Sequence, residues 1–197
     1  MPLVQAVRAA LIWVPGLEVR EGGKMKVYEC IRSKLTVREF KSDPIPDSLI
    51  TQMLRAGRWA ASARNRQPWN FIVIQDRQTL GQIGAIASSG SFIGDAPLGI
   101  AVVMEKQGRP ELDAGRALQQ MELVAWSQGV GGCFAGIRGE ENDKVKEILQ
   151  VPEDKELITV MAFGYPTEAA EAKTKQRKPL SEIAHGERFG QGYLAGR

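Results

Sequence analysis

The sequence is poor in the residues that most often do chemistry by themselves. His185 is the one histidine in 197 residues, which excludes a His-ligated metal cluster. No G-x-S-x-G segment accompanies it, so it reads as a surface or packing residue. Cysteine is as scarce: Cys30 and Cys133 stand about a hundred residues apart, without metal-ligand spacing. They read as inert core thiols in a reducing, cytoplasmic setting. Charge of one sign is also lacking. A formal net charge of +3, with basic residues not interleaved with aromatics, argues against a nucleic-acid partner. No apolar run reaches the roughly 18 residues a membrane-spanning helix needs. There is no G-x-x-x-x-G-K-[ST] phosphate loop, and the Gly-rich stretch at 129–136 lacks the G-x-G-x-x-G register. What remains is a chain with binding groups and no recognisable acid–base or nucleophilic engine.

Hydrophobic content of 43% and charged content of 25% are those of an ordinary globular protein, and the length fits one domain with a sizeable core. The first 24 residues stand apart. Val4 to Val14 is weakly amphipathic, its apolar run from Ala9 is too short for a secretory signal, and Pro15-Gly16 ends the pattern. The compact domain is expected to begin near Met25, with residues 1–24 as an extension and 25–197 as the domain.

Along that domain, helical and extended patterns alternate. Tyr28, Ile31 and Leu35 recur at helical spacing, so a short helix is expected over roughly Val27 to Lys34. Thr36 to Phe40 reads as extended, and Asp43-Pro44-Ile45-Pro46 as a turn. Leu49, Ile50, Met53, Leu54 and Trp59 mark one face of a helix from Ser48 to Ala60. Phe71 to Ile74 reads as a strand, and Leu80, Ile83 and Ile86 give a further helix. Ser88 to Asp95 reads as a Gly/Ser loop, flexible by composition. The nearly continuous apolar runs Leu98 to Met104 and Leu157 to Phe163 are expected to be central strands covered on both faces. Between them, Ala114 to Gln128 predicts a helix buried in the domain or against a second subunit. Val145, Ile148 and Leu149 fix another helix, and Thr167 to Arg197 is polar and basic with little periodicity. The expected architecture is α+β, layered, with helices on both faces of a sheet.

Two groups of residues could bind a ligand. The junction Ala61 to Trp69 carries Ser62, Asn65 and Gln67, each with donor and acceptor capacity; they suit a flat, hydrogen-bonding heterocycle, or merely solvate a helix-to-strand connection. Lys34 and Arg38 near one end of the domain, with the Thr36 hydroxyl between them, and Lys175 and Arg177 near the other, would form a pocket for a dianionic phosphate if the fold joined them. Otherwise they are two solvated basic faces.

Here a resemblance enters. Lys34-Leu35-Thr36-Val37-Arg38-Glu39-Phe40 is similar to the R-R-S-x-R-x-F motif of the FMN-dependent nitroreductase family. Ala61-Ser62-x-x-Asn65-x-Gln67-Pro68-Trp69 resembles its P-S-x-x-N-x-Q-P-W signature, and Gly129 to Ile137 its G-L-G-S-C-W-I-G segment. Gly164-Tyr165-Pro166 and Lys175-x-Arg177-Lys178-Pro179 resemble its G-Y-P and K-x-R-K-P ending. The four segments occur in the family's order over roughly residues 25–190.

That resemblance implies a three-layer fold with a central mixed sheet flanked by helices, assembled as a homodimer with two flavins at the interface. It implies that Lys34, Leu35, Thr36, Arg38, Lys175 and Arg177 hold the FMN phosphate and ribityl chain. Ser62, Asn65 and Gln67 would contact the flavin of the partner subunit. Phe134, Gly136 and Ile137 would lie along the isoalloxazine ring, with a backbone N–H near Gly136 directed at N5. The implied activity is hydride transfer from NADH or NADPH through FMN to a nitroaromatic, a quinone or a related small oxidant, with ping-pong kinetics. Relatives also reduce enals, dehalogenate iodotyrosine or break down flavin. A flavin carrier without turnover, or a partner-binding dimer without cofactor, are the rival readings. The chain departs from the family pattern at Lys34, Leu35 and Ala61, where two basic residues and a proline are usual; a lysine lacks the bidentate fork of arginine.

Overall fold

The computed structural model describes residues 26–193; the expected extension at 1–24 lies outside the described residues. Element order is α1 (Val27–Ser33), α2 (Asp47–Arg58), β1 (Trp69–Ile74), α3 (Arg77–Ile86), β2 (Leu98–Glu105), α4 (Pro110–Ser127), β3 (Gly131–Phe134), α5 (Glu140–Ile148), β4 (Lys155–Gly164), α6 (Glu168–Glu171) and α7 (Leu180–Ile183). Short 3-10 turns at Ala63–Asn65 and Ser91–Ile93 complete it.

Four strands form one sheet in the order β1-β2-β4-β3. The period-2 alternation of side chains divides the core in two. Leu98 and Ile100 of β2, with Met161 and Phe163 of β4, pack against Leu49, Ile50 and Met53 of α2 and Ala117, Met121 and Ala125 of α4. Ala101 and Val103, with Val160 and Ala162, face Leu80 and Ile83 of α3 and Val145 of α5. This is the expected three-layer arrangement, and it explains why β2 is apolar at nearly every position. Full burial of each such Leu, Ile or Met is worth about 1.5–3 kcal/mol. Gly57 sets the spacing of the first helix layer: a Cβ there would stand 2.7 Å from Met121 Cε, so α2 and α4 approach closely at that point.

Two expectations need correction. The sheet was expected to be mixed, yet every pairing between its named strands is antiparallel. Among the described residues, the parallel contact is the isolated bridge of Thr36 to Gly132. The mixed sheet was implied by the resemblance alone; continuous apolar runs report coverage by helices on both faces and say nothing of strand direction. The Ser88–Asp95 stretch is not a loose loop either. Phe92 and Ile93 insert into the core, and the segment closes with Ile93 N–H donating to Gly90 O and Gly94 N–H to Ser91 O. Composition counted its glycines and serines, but the two apolar residues decide its state.

The remaining elements follow their local signals. Asp76 caps α3, its carboxylate accepting from Thr79 N–H at 2.8 Å. Pro110 opens α4 at its first turn, beside the acidic Glu111 and Asp113. His185 lies against the exposed Phe189 with ring centroids 4.4 Å apart and planes tilted by 52°, a surface contact. Cys30 and Cys133 are both buried and free. No helix among the described residues is long and apolar enough to cross a membrane.

Candidate functional site: a basic cluster and a left-handed loop on one helix

The two basic pairs from opposite ends of the domain do come together. Lys175 Nζ donates to Lys34 O at 2.6 Å and to Ile31 O at 3.1 Å. Its pKa is lowered from the lysine value of 10.5, by desolvation first and then by the neighbouring charges of Arg177 and Lys34. Lys34 Nζ is itself paired with Glu122 Oε1 of α4 at 2.6 Å. Arg38 is exposed, with its guanidinium 5.8 Å from the Phe92 ring. Its charge acts on the buried Cys133 thiol, opposing the burial that pushes that thiol's pKa up. The group is held against β3 by the backbone: Val37 N–H donates to Gly132 O at 3.1 Å. Thr36 is exposed at this point. Leu35 differs in kind, because its side chain packs against the small cluster of Cys30, Val37 and Trp126; only its backbone is left to serve a ligand.

Phe134, immediately after Cys133 in β3, is 61% exposed. It lines a cavity of about 620 Å³ with Gly136, Ile137, Leu118 and Ile158. Ile137 is buried, so it meets the cavity through its main chain. Gly136 is exposed, and a Cβ there would meet nothing nearer than Ser89 Oγ at 3.3 Å. That contact is tight, but it is with the end of one exposed side chain, so only Ser89 opposes a Cβ at this position. Glycine leaves the backbone here open to close approach. Ser89 Oγ donates to Gly136 O at 3.3 Å and fixes the peptide.

The polar loop after α2 is built on strain. Arg64, Asn65 and Gln67 have φ of 56°, 55° and 53°, the left-handed region, which costs non-glycine residues of order 1–3 kcal/mol each. Such outliers persist where the surroundings over-determine them. Here Ser62 Oγ accepts from Gln67 N–H at 2.9 Å, so the hydroxyl oxygen closes the loop and its proton remains to donate. Ala63 N–H donates to Asp113 Oδ2 at 3.3 Å. Arg116 binds Asp113 Oδ1 at 3.1 Å and reaches Ala61 O at 3.5 Å. Asn65 and Gln67 are thereby presented outward, and both are exposed.

Within the chain the two halves are anchored at different points of α4. The loop is fastened to α4 at Asp113 and the basic cluster at Glu122, nine residues on, or about 13 Å along the axis at 1.5 Å per residue. Asp113, Arg116 and Glu122 escaped the reading of the sequence, since no local pattern marks a carboxylate whose partner lies 50 or 88 residues away.

The order of these segments along the chain is matched elsewhere. A family model described as the nitroreductase family aligns with residues 31–111 and 90–165. The chain belongs to the nitroreductase family. A relative from Methanothermobacter thermautotrophicus, named an NADH dehydrogenase/NAD(P)H nitroreductase, is 30% identical over 74% of this chain and 80% of its own length. Among solved nitroreductase-like structures, one of the same description from Parabacteroides distasonis superposes with a TM-score of 0.77 at 25% identity, over 83% of this chain and 98% of that one. The FMN-dependent nitroreductase of Clostridium difficile R20291 shares the fold at a TM-score of 0.73 and 22% identity, over 81% of this chain and 98% of its own.

Proposed function

We propose that this chain, an oxidoreductase by its family, binds FMN and passes a hydride from NADH or NADPH to a nitroaromatic, a quinone or a related small oxidant. The observation that carries the reading is the convergence of Lys34, Arg38, Lys175 and Arg177 from opposite ends of the domain. Folding gains nothing from crowding like charges, and a dianionic phosphate resolves the crowding. Bound FMN would supply two-electron acceptance at its N5.

The chain's own part is to bind, orient and expose. Lys175 and Arg177 would hold the phosphate with Arg38, while Thr36 offers a hydroxyl to the ribityl chain. Lys34 is half-neutralised by Glu122, which places the heavier duty on the arginines and Lys175. Phe134 would cover the ring, and the main chain at Gly136 would face N5 with a donor. Donor and oxidant would share one open cavity beside Phe134, so turnover would be ping-pong.

A homodimer belongs to the same reading. Asn65 and Gln67 are exposed, and their loop is anchored nine residues along α4 from the anchor of the basic cluster; two subunits related by a two-fold axis would bring each loop to the other's cluster. The outer face of α1 supports this: Val27 and Tyr28 are each 73% exposed, and such apolar surface calls for cover.

The deciding experiment is the visible spectrum of the purified protein, taken anaerobically before and after adding NADPH or NADH. Oxidised-flavin bands that bleach on addition support the assignment. Bands that persist with both donors indicate a flavin carrier. A colourless protein that FMN does not reconstitute would end the cofactor assignment.

A further inference from the structure

We propose that Asp113, gripped by Arg116, is the positioning residue that holds the Ala61–Gln67 segment in its left-handed course. Asp113 is 3% exposed, and it is one of two buried polar or charged side chains among the described residues. A buried carboxylate needs partners for its lone pairs, and both of its oxygens have one. Oδ2 accepts from Ala63 N–H, one residue before the first left-handed position, and Oδ1 accepts from Arg116. Arg116 then reaches over to Ala61 O. The segment is thus fastened on both sides of Ser62, at the point where its backbone leaves the ordinary regions of conformational space. Arg64 and Gln67 have no intrinsic preference for φ near +55°; without the clamp they relax, and Asn65 and Gln67 move with them. Asp113 touches no ligand in this scheme and acts only through the loop.

The consequence for cofactor binding rests on the FMN reading; the clamp itself does not. The variant of choice is Asp113→Asn, which keeps the volume of the side chain. One of its two positions becomes an NH2 that cannot accept, so either Ala63 N–H or Arg116 faces a donor in place of its carboxylate oxygen. Two readouts separate the questions. Hydrogen exchange of the 61–67 amides, followed by mass spectrometry in the intact protein, is expected to quicken about tenfold while the strands keep their protection. The FMN dissociation constant, from flavin fluorescence, is expected to rise about tenfold, as for loss of one charged hydrogen bond. Asp76→Ala, which removes the cap of α3 far from the loop, is the control for general destabilisation and should change neither.

If exchange in 61–67 is unaltered in Asp113→Asn, or quickens uniformly with the rest of the molecule, the clamp is overturned. If the loop loosens but FMN affinity stays at the wild-type value, its role in cofactor binding is overturned. A wild-type protein that takes up no FMN refutes the function proposed above, and the exchange experiment still decides the clamp.

Discussion

Lys175 faces opposite demands with and without an anion beside it. Its desolvation and its neighbours Arg177 and Lys34 depress its pKa below 10.5, so in the empty protein its charge is a cost relative to the unfolded chain. The sign follows from linkage. That cost is fully present below the depressed pKa and is relieved as pH rises from there towards 10.5, where the unfolded state holds the extra proton. Phosphate binding runs the other way, because it needs the charged form. FMN affinity is therefore expected to fall on the alkaline side at a lower pH than an ordinary lysine would dictate. Lys175→Arg, which stays charged, should flatten that limb; equilibrium dialysis of FMN against a pH series reads both. At this scale the sequence was half legible. Side-chain type made Ser62, Asn65, Gln67 and the four cations candidates, since their donors and charges suit a polar ligand. It left Glu122 and Asp113 unmarked. Leu35 was implied as a contact by the resemblance alone, and its side chain packs inward. A one-dimensional pattern reports what a residue offers, whereas pairing across the fold decides whether the offer is free.

At the scale of elements, the weak point is the contact between β3 and its two neighbours. A Cβ on Gly132 would stand 2.7 Å from Ala162 O, a backbone atom that cannot swing away, and Gly132 O is also the acceptor for Val37 N–H. Gly132→Ala is expected to lower stability by about 1–3 kcal/mol, measured by urea denaturation, and to weaken FMN binding by shifting the Thr36–Val37 segment, docked on Gly132, that leads into Arg38. Gly81→Ala is the counterpart. A Cβ there meets nothing within 4 Å and the site lies within α3, so a gain of about 0.5–1 kcal/mol is expected from reduced freedom of the unfolded chain. The helices and central strands were legible because amphipathic spacing and unbroken apolar runs are direct images of burial. Strand direction was not, and neither was the order of Ser88–Asp95. The first depends on connections across the sheet, and the second on two side chains outweighing six small or polar neighbours.

On the scale of the whole molecule, the separation of loop and cluster on α4 yields a test of assembly. Lys175→Ala/Arg177→Ala subunits would lack the phosphate half of each site, and Asn65→Ala/Gln67→Ala subunits the loop half. Each homodimer is expected to bind FMN poorly. Subunits unfolded together and refolded as a mixture should recover one good site per heterodimer, because one of its two sites then draws on intact residues from both chains. No recovery on mixing would place each site within a single chain. The arrangement also gives α4 a wider office. In the proposed dimer, Asp113 would steady the loop serving one flavin, while Glu122 on the same rod would steady the cluster serving the other. A helix moves far more readily as a stiff body than it stretches, so α4 would tie the two proposed centres together mechanically.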